Sequence, residues 1–327
     1  MSRSTLYVVT HFLCITASCA GLAATQSRAE TYPARPVRLI VPFAPGGGTD
    51  IIARALAPKA TDAFAQPVVI DNRGGGGGTI GAELTVRATP DGYTLCLVST
   101  SYATNAAIFK LPYNPITDIA PIALIGETGL LISLHPSVAA RSVKELIAMA
   151  KARPDELNYA STGTGGNTHL VTELFNLKAG TRMTHVPYKG TGAAMSDLLG
   201  GQIQLIFGSL PSVLPLHRAG RLRGIGITSA KRNDAIPDIP AIAETVPGYA
   251  ATVWYGLWGP KGLPAGIVSR WNTTVRRSLQ LPDVKERLAG EGLAIADGPP
   301  QAFIDVVQRD VAKYREVVRA AKIDPVQ

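Results

Sequence analysis

A run of glycines separates an apolar, β-branched segment from a helical pattern near the beginning of the sequence. Residues 37–41 read VRLIV, Gly46–Gly48 follow, and Thr49 or Asp50 can cap the helix after them. The first turn of a helix has unpaired N–H groups and a partial positive charge, and glycine lets an anion approach that backbone closely. The turn therefore suits a carboxylate or a phosphate. An ordinary capped strand-to-helix turn explains the pattern equally well.

A second glycine run, GGGGG at residues 74–78, also lies between a strand pattern and a helix pattern. Gly76, Gly78 and Gly81 satisfy G-x-G-x-x-G, the phosphate-binding pattern of dinucleotide-binding folds. The following strand, however, ends in Ser99 instead of the acidic residue that binds the ribose. We interpret this segment as a mobile loop beside a ligand cleft and not as a nucleotide site.

Two later turns repeat the order of strand, glycine-rich turn and helix. One is STGTGGNTH at residues 161–169, and the other is VPYKGTG at residues 186–192, in which Lys189 either attracts an anion or is an ordinary exposed lysine. Open α/β sheets bind ligands at the carboxyl ends of their strands. The opening turn and the 161–169 turn belong to different α/β units, so they would face each other if the units close over a ligand.

The sequence lacks the common signatures of catalysis. Neither G-x-S-x-G, nor the phosphate-binding loop G-x-x-x-x-G-K-[ST], nor H-E-x-x-H occurs. His169 and Glu173 stand one helical turn apart, but two ligands are too few for a metal site, and we interpret them as a capping or packing pair. His135, His185 and His217 are isolated along the chain. We expect no metal, no cofactor and no catalytic residue.

The first twenty-nine residues are typical of a secretory signal. Arg3 provides a positive start, residues 6–24 are apolar or small, and cleavage is expected after Ala24 or Ala29. The mature chain would then contain Cys96 as its sole cysteine, which excludes a disulfide within one chain. We therefore expect an exported, periplasmic protein without a further membrane-spanning segment.

The charge of the sequence is basic but not concentrated. It contains 32 Lys and Arg against 24 Asp and Glu, and the basic residues are scattered. Aromatic residues make up 6% of the chain and are not interleaved with basic clusters, which argues against nucleic-acid binding. The positive excess either favours acidic small molecules or serves solubility. We expect a monomer whose ligand is a small molecule.

Strand and helix patterns alternate along the mature chain. The run 37–41 precedes a helix pattern, and the alternation restarts after about Ile132 with a capping box from Ser142 to Glu145. This alternation predicts an α/β fold with mostly parallel sheets. The elements from Val253 onward are expected to return to the first unit. The predicted limits are a discontinuous domain 1, residues 30–130 and 251–327, and a domain 2, residues 131–250.

Five blocks of the sequence follow one another across essentially the whole mature chain. They are RPVRLIVPFAPGGGTDIIAR, VVIDNRGGGGGTIGAE, YASTGTGGNTHL, HVPYKGTGAAMSDLLGGQIQLIF, and IPDIPAIAETVPGY with WYGLWGPKGLP. In this order they resemble the periplasmic solute receptors of tripartite tricarboxylate transporters, the Bug family. The resemblance implies a two-domain Venus flytrap of the type 2 periplasmic-binding-protein class. Its two α/β domains would be joined by two crossings, with the ligand cleft between the domains.

The resemblance also implies how the ligand is held. In that family, backbone amides and small polar side chains bind the carboxylates, with bridging waters and without an obligatory arginine. One wall would contain Phe43, Ala44, Gly47, Gly48 and Asp50, and the other Ser161, Thr162, Thr164, Gly165, Asn167 and His169. Ser99, Tyr188 and Gly208 complete the candidate contacts. Many relatives carry an acidic or amide residue after the strand at 203–207, and glycine at that point favours a plain carboxylate over a ligand with an amino or hydroxyl group.

The function implied by the resemblance is that of a periplasmic receptor. It would capture a mono-, di- or tricarboxylate, aromatic acids included, by hinge closure, and deliver it to the membrane subunits of a tripartite tricarboxylate transporter. An extracytoplasmic sensor for a two-component kinase and an exported hydrolase on the same fold are the alternatives. The absence of a nucleophile–base motif argues against the hydrolase.

Overall fold

The computed structural model describes residues 32–290, 292–321 and 323. The predicted signal segment, residues 1–29, lies outside the described residues, and so do both cleavage candidates. Within the described part of the chain, no helix is both long and apolar enough to cross a membrane.

The described residues form strands and helices in the alternating order that the sequence predicts. The strands are β1 (Val37–Val41), β2 (Val68–Asn72), β3 (Thr94–Ser99), β4 (Ile119–Thr128), β5 (Leu130–Leu134), β6 (Asn158–Ser161), β7 (Thr184–Pro187), β8 (Leu205–Ser209), β9 (Arg223–Ile227), β10 (Val253–Pro260) and β11 (Ala294–Ile295). The helices are α1 (Gly48–Phe64), α2 (Thr79–Val86), α3 (Ser101–Ile108), α4 (Val143–Ala152), α5 (Asn167–Ala179), α6 (Thr191–Leu199), α7 (Leu210–Arg218), α8 (Ala265–Gln280), α9 (Pro282–Gly290) and α10 (Gln301–Ala320).

The strands form two separate sheets. The first has the order β11-β4-β10-β3-β1-β2, and the second has the order β7-β6-β8-β5-β9. Helices α1, α2, α3, α8, α9 and α10 contact the first sheet, and α5, α6 and α7 contact the second. We call the first sheet with its helices the first unit, and the second sheet with its helices the second unit. The α/β organisation in two units confirms the predicted fold class.

The prediction of mostly parallel sheets is wrong. β1 is parallel to β2 and β3, and β6 is parallel to β7 and β8, but β10 is antiparallel to β3 and β4, and β5 is antiparallel to β8 and β9. The strands β4, β5, β9 and β10 flank the passages of the chain between the sheets. A strand that arrives from the other unit is free of the direction that a strand–helix–strand crossover imposes. Local alternation therefore does not reveal its direction.

The chain passes twice between the sheets. It leaves the first at Thr128, enters the second at Leu130, and returns between Ile227 and Val253. The two passages are hydrogen-bonded to each other, because the Leu130 N–H donates to Thr228 Oγ1 at 2.7 Å and the Thr228 N–H donates to the Leu130 carbonyl at 2.9 Å. The chain moves from one sheet to the other close to the predicted domain limits at residues 130 and 251, and those limits stay a prediction.

Helix α10 packs against both units. Its buried side chains recur every three or four residues, as expected for a helix with one apolar face: Phe303, Val307, Val311, Tyr314 and Val318. α10 contacts α3 and β4 of the first unit and α5 of the second. It therefore places a buried tyrosine, Tyr314, next to the beginning of α5.

Candidate ligand-binding site

A small cavity lies between the two units. The first unit lines it with Phe43, Gly47, Gly48, Thr49, Ser99, Ser101, Val253 and Tyr255, and the second with Leu130, Thr162, Asn167, Thr168, Thr191 and Ser209. The cavity volume is about 30 Å³, which is room for roughly two water molecules. A larger ligand can enter only if the units move apart or the lining side chains rearrange. The structure thus represents a closed arrangement of the units.

Five helices, α1, α3, α5, α6 and α7, begin at the cavity. At each of them the N-cap or the first helical residue lines the cavity, these residues being Gly48, Ser101, Asn167, Thr191 and Ser209. None of these described helices has a hydrogen bond to an N-cap side chain. Their partial positive charges and first-turn N–H groups therefore converge on one cavity, an arrangement that suits an anion.

The lining of the cavity is neutral and rich in hydroxyl groups. Lysine, arginine, aspartate and glutamate are absent from the described residues that line it. Serine, threonine and tyrosine hydroxyls supply most of the side-chain polar groups, and Asn167 supplies an amide. A carboxylate held there would accept hydrogen bonds from neutral donors, each strengthened by the charge of the ligand.

The predicted ligand contacts fall into two groups. Those that line the cavity are Phe43, Gly47, Gly48, Ser99, Thr162 and Asn167. Those that are not part of the lining are Ala44, Asp50, Ser161, Thr164, Gly165, His169, Tyr188 and Gly208. Ligand contact stays a prediction for both groups, and several members of the second group have well-defined structural contacts.

Asp50 holds the turn between β1 and α1. Its side chain is 3% exposed and accepts hydrogen bonds from the Gly46 N–H at 3.0 Å, from Arg54 Nε at 2.9 Å and from Asn72 Nδ2 at 3.1 Å. Burial alone would raise the pKa of this carboxyl group, but the three hydrogen bonds outweigh burial and lower its pKa below the ordinary value. The carboxylate is therefore fully engaged in fixing the glycine turn.

Gly165 forms a contact between the units beside the cavity. Its φ is +75°, and a Cβ there would lie 2.2 Å from Ile108 Cγ2 and 2.8 Å from Phe109 Cε2 of the first unit. In the second glycine run, a Cβ on Gly77 would lie 3.2 Å from the Thr164 carbonyl oxygen. That glycine run therefore lies against the turn that lines the cavity, as predicted. Its mobility stays a prediction.

His169 and His185 stack on each other. Their ring centroids are 3.9 Å apart, and Tyr159 stacks on His185 at 5.2 Å. His169 Nδ1 accepts a hydrogen bond from the Gly165 N–H at 3.1 Å, and His185 Nε2 shares one with Ser161 Oγ at 2.5 Å. The stack thus supports the two ends of the turn that follows β6.

The histidine stack has the character of a buried, neutral pair. Burial, with a smaller contribution from His185, lowers the pKa of His169 to about 3, and burial lowers the pKa of His185 to about 4. Glu173 accepts hydrogen bonds from the Tyr159 hydroxyl at 2.6 Å and from Asn176 Nδ2 at 3.1 Å. Among the described residues, no group of three or more His, Cys, Asp or Glu could hold a metal ion.

The neutral stack should make the stability of the protein depend on pH. A lowered folded-state pKa contributes stability that is present above the unfolded value of 6.5 and is lost as pH falls toward about 4 and then about 3. Each ring contributes a slope of up to about 1.4 kcal/mol per pH unit. Urea unfolding of the wild type and of His169→Asn, from about pH 7.5 to about pH 4.5, measures the contribution. The wild type should lose more stability than the variant.

The control for this comparison is His135→Asn, which changes a histidine outside the stack. Asparagine at 169 retains an oxygen near the position of Nδ1 and does not titrate, so the Gly165 N–H keeps an acceptor. Because His135→Asn leaves the stack intact, we expect it to keep the loss of stability at low pH that the stack produces. Identical pH dependence in all three proteins would contradict the neutral stack.

Tyr188 and Gly208 have contacts of their own. The Tyr188 hydroxyl donates to Asp197 Oδ2 at 2.6 Å, and burial together with this hydrogen bond raises the pKa of Tyr188 to about 12. A Cβ on Gly208 would lie 2.3 Å from Val213 Cγ1, so this glycine lets α7 pack closely on β8. Lys189 is exposed and is not one of the lining residues.

Sequence reasoning missed several lining residues. Some adjoin the residues that the glycine-rich turns single out, and those turns were the available signal: Thr49, Thr168, Thr191 and Ser209. Ser101 begins a helix directly after β3, so the strand–helix order was again a signal. Leu130, Val253 and Tyr255 reach the cavity through strand pairing, since Tyr255 lies opposite Ser99 in the antiparallel pair of β10 and β3. No local pattern marks these three.

Two α/β units with a neutral cavity and converging helix starts between them define a ligand-binding protein of the Venus-flytrap kind. The family model described as tripartite tricarboxylate transporter family receptor matches residues 52–323. The chain therefore belongs to this receptor family, and it has the two-domain fold of periplasmic binding proteins.

Individual relatives agree with this assignment. The protein BugT of Bordetella pertussis is 38% identical over 304 residues, which cover 92% of this chain and 93% of BugT. The solved structure of R. palustris Rpa4515 with adipate is 36% identical, has a TM-score of 0.87, and aligns over 90% of this chain and 100% of its own. MatC of Rhodopseudomonas palustris with bound malate is 32% identical, has a TM-score of 0.83, and aligns over 88% and 100%.

Proposed function

We propose that this chain captures a small organic carboxylate by closure of its two units and delivers it to the membrane subunits of a tripartite tricarboxylate transporter. The observation that carries the proposal is the convergence of five helix starts on a neutral, hydroxyl-lined cavity between the units. Adipate and malate, bound in the two solved relatives, support the carboxylate class. Because both are dicarboxylates, dicarboxylates are the first class to test.

The energy available from such a cavity is sufficient for a receptor. A helix start contributes about 0.3 to 1 kcal/mol to anion binding, and up to about 2 kcal/mol when partly buried. Hydrogen bonds from neutral donors to a charged group add about 1.5 to 3 kcal/mol each. Several such contacts, after the cost of association, support micromolar binding, which corresponds to about −8 kcal/mol.

The proposal includes the location and the mode of action. Residues 1–29 would act as a secretory signal, cleaved after Ala24 or Ala29, and the mature receptor would work in the periplasm as a monomer. Residues 30–130 with 251–327, and residues 131–250, would be the two domains that close. The protein would bind its solute without a cofactor and without a chemical step, and closure would be the state that the membrane subunits recognise.

Ligand-dependent stabilisation tests the carboxylate class. The mature protein is unfolded and refolded to remove carried-over ligand, and is then melted with dicarboxylates, tricarboxylates, monocarboxylates, aromatic acids, amino acids and inorganic phosphate. A ligand at about 100 times its Kd stabilises the folded state by about 2.7 kcal/mol, which raises the melting temperature by several degrees. We expect the largest increase from a carboxylate.

The control is the carboxamide of the best ligand, which keeps its shape and lacks its charge. We expect the carboxamide to give little or no increase. A response confined to phosphate would contradict the carboxylate class, and a response confined to amino acids would contradict a plain carboxylate without an amino group. Uptake of the labelled ligand by cells that lack this protein tests delivery, and unchanged uptake in those cells would contradict the transport part of the proposal.

A further inference from the structure

Asn167 occupies a distinctive position in the cavity lining. It is the first residue of α5, it is 2% exposed, and it is the only described lining residue with an amide side chain. Its backbone N–H donates to Ser101 Oγ of the first unit at 3.1 Å. Asn167 Nδ2 is buried and has no hydrogen-bond partner among the described residues. A buried amide donor without a partner is costly, so a ligand at this cavity would satisfy it.

Tyr314 determines which end of the amide is available. Its side chain is fully buried on α10, and its hydroxyl donates to Asn167 Oδ1 at 3.2 Å. Burial raises the pKa of Tyr314 far above the ordinary value, so the hydroxyl stays protonated and keeps the proton that it donates to Asn167 Oδ1. Asn167 Oδ1 is thereby used as the acceptor, and the donor group Nδ2 is left for the ligand.

The opposite orientation of the amide would work against a carboxylate. Rotation of the Asn167 amide by half a turn would place Oδ1 toward the ligand. Oδ1 and a carboxylate oxygen, both hydrogen-bond acceptors, would then face and repel each other. The same rotation would place Nδ2 beside the Tyr314 hydroxyl, which would then lose Asn167 Oδ1 as its hydrogen-bond acceptor. The hydrogen bond in which Tyr314 donates to Oδ1 therefore corresponds to the carboxylate-binding orientation and not to the repulsive one.

We propose that Tyr314 is a positioning residue, which holds Asn167 so that Nδ2 donates to a carboxylate oxygen of the ligand. This inference rests on the proposed function and assigns one specific donor within it. Because α10 contacts the first unit and Asn167 belongs to the second, the same hydrogen bond ties ligand recognition to the closed arrangement of the units.

A double-mutant cycle tests the positioning role. The Kd of the best carboxylate is measured for the wild type, Asn167→Ala, Tyr314→Phe and the double variant. Loss of the amide donor should weaken binding about ten- to hundredfold, and loss of the tyrosine hydroxyl roughly tenfold. Tyr314→Phe should change the Kd less than about twofold in the Asn167→Ala background. In the Asn167 background, Tyr314→Phe should also reduce the preference for the carboxylate over its carboxamide, which a merely structural role would not change.

Tyr249→Phe is the matched control. The Tyr249 side chain is 1% exposed, and its hydroxyl donates to the Val171 carbonyl at 3.1 Å, one turn further along α5. We expect this variant to lose a comparable amount of thermal stability without ligand and to keep the wild-type Kd. Asn167→Asp, which keeps an acceptor for Tyr314 and removes the donor, should bind at least as weakly as Asn167→Ala even if Tyr314→Phe folds poorly.

The outcomes separate this inference from the proposed function. If the wild type binds a carboxylate but the two substitutions have additive effects on the Kd, the positioning role is overturned and the receptor proposal stands. The same holds if Tyr314→Phe has no effect on the Kd. Equal carboxylate affinity in the wild type and in Asn167→Asp would overturn the positioning role as well. A wild type that binds no carboxylate would contradict the proposed function and, with it, the role of Tyr314.

Discussion

Replacing Gly48 by alanine should weaken carboxylate binding about a hundredfold, or about 2.7 kcal/mol, while the protein still folds. A Cβ at Gly48 would lie 2.4 Å from Tyr255 Oη and 2.7 Å from Ser209 Oγ. Both distances are well below van der Waals contact, so the added methyl group must displace both Tyr255 and Ser209 at a cavity of only about 30 Å³. The φ of Gly48 is not positive, and alanine therefore adds no backbone strain.

Gly266→Ala provides the matched control for Gly48→Ala. Gly266 lies in the first turn of α8, and a Cβ there would meet nothing within 4 Å. Both variants exchange a helical glycine for alanine, which by itself is neutral or slightly stabilising. Calorimetric titration gives the Kd, and melting without ligand checks the fold. Wild-type affinity in Gly48→Ala would show that the ligand binds elsewhere.

Replacing Gly165 by alanine should prevent full closure of the two units. The Cβ would lie 2.2 Å from Ile108 Cγ2 and 2.8 Å from Phe109 Cε2, both in the first unit. A clash of this size keeps the turn after β6 away from α3, so the donors of the two units no longer reach the same ligand. We expect the Kd to rise at least about fiftyfold, a loss of about 2.3 kcal/mol. X-ray scattering should show no ligand-induced decrease in the radius of gyration.

Gly180→Ala separates this clash from backbone strain. Gly180 follows the last residue of α5, the helix that begins after the Gly165 turn, and its φ of +64° is close to the +75° of Gly165. A Cβ on Gly180, however, would meet Lys151 only at 3.8 Å. Alanine with such a φ costs about 1 kcal/mol at either position. We therefore expect similar strain in the two variants and normal closure only in Gly180→Ala. Equal affinity and equal compaction would mean that Gly165 does not approach Ile108 in the ligand-bound state.

The local features of the site follow from short stretches of the sequence. The order of strand pattern, glycine-rich turn and helix pattern predicts where a helix begins. Helices α1, α5 and α6 begin at such turns, and their first residues lie at the cavity. The expectation holds because the turn and cap signals of a helix N-terminus lie within a few neighbouring residues. Gly47, Gly48 and Asn167 belong to these turns, and the family resemblance selected them as ligand contacts; all three line the cavity.

Side-chain directions were less accessible to sequence reasoning. Asp50 and His169 lie within the selected turns, but Asp50 binds Gly46, Arg54 and Asn72, and His169 stacks on His185. Gly46 and Arg54 are close to Asp50 in the chain, but strand pairing brings Asn72 and His185 near, since β2 is a neighbour of β1 and β7 is a neighbour of β6. A pattern within one turn carries no information about the partner that a side chain finds on another strand.

The sequence by itself determined the α/β class, the helix starts at the glycine-rich turns and the family resemblance, because each depends on residues close together in the chain. Tertiary structure alone decided the strand directions at the two passages and the arrival of Val253 and Tyr255 at the cavity. It also decided the contact of Tyr314 with Asn167, which are 147 residues apart. Such contacts depend on how the two sheets and α10 pack together, and packing over that distance leaves no periodic trace in the sequence.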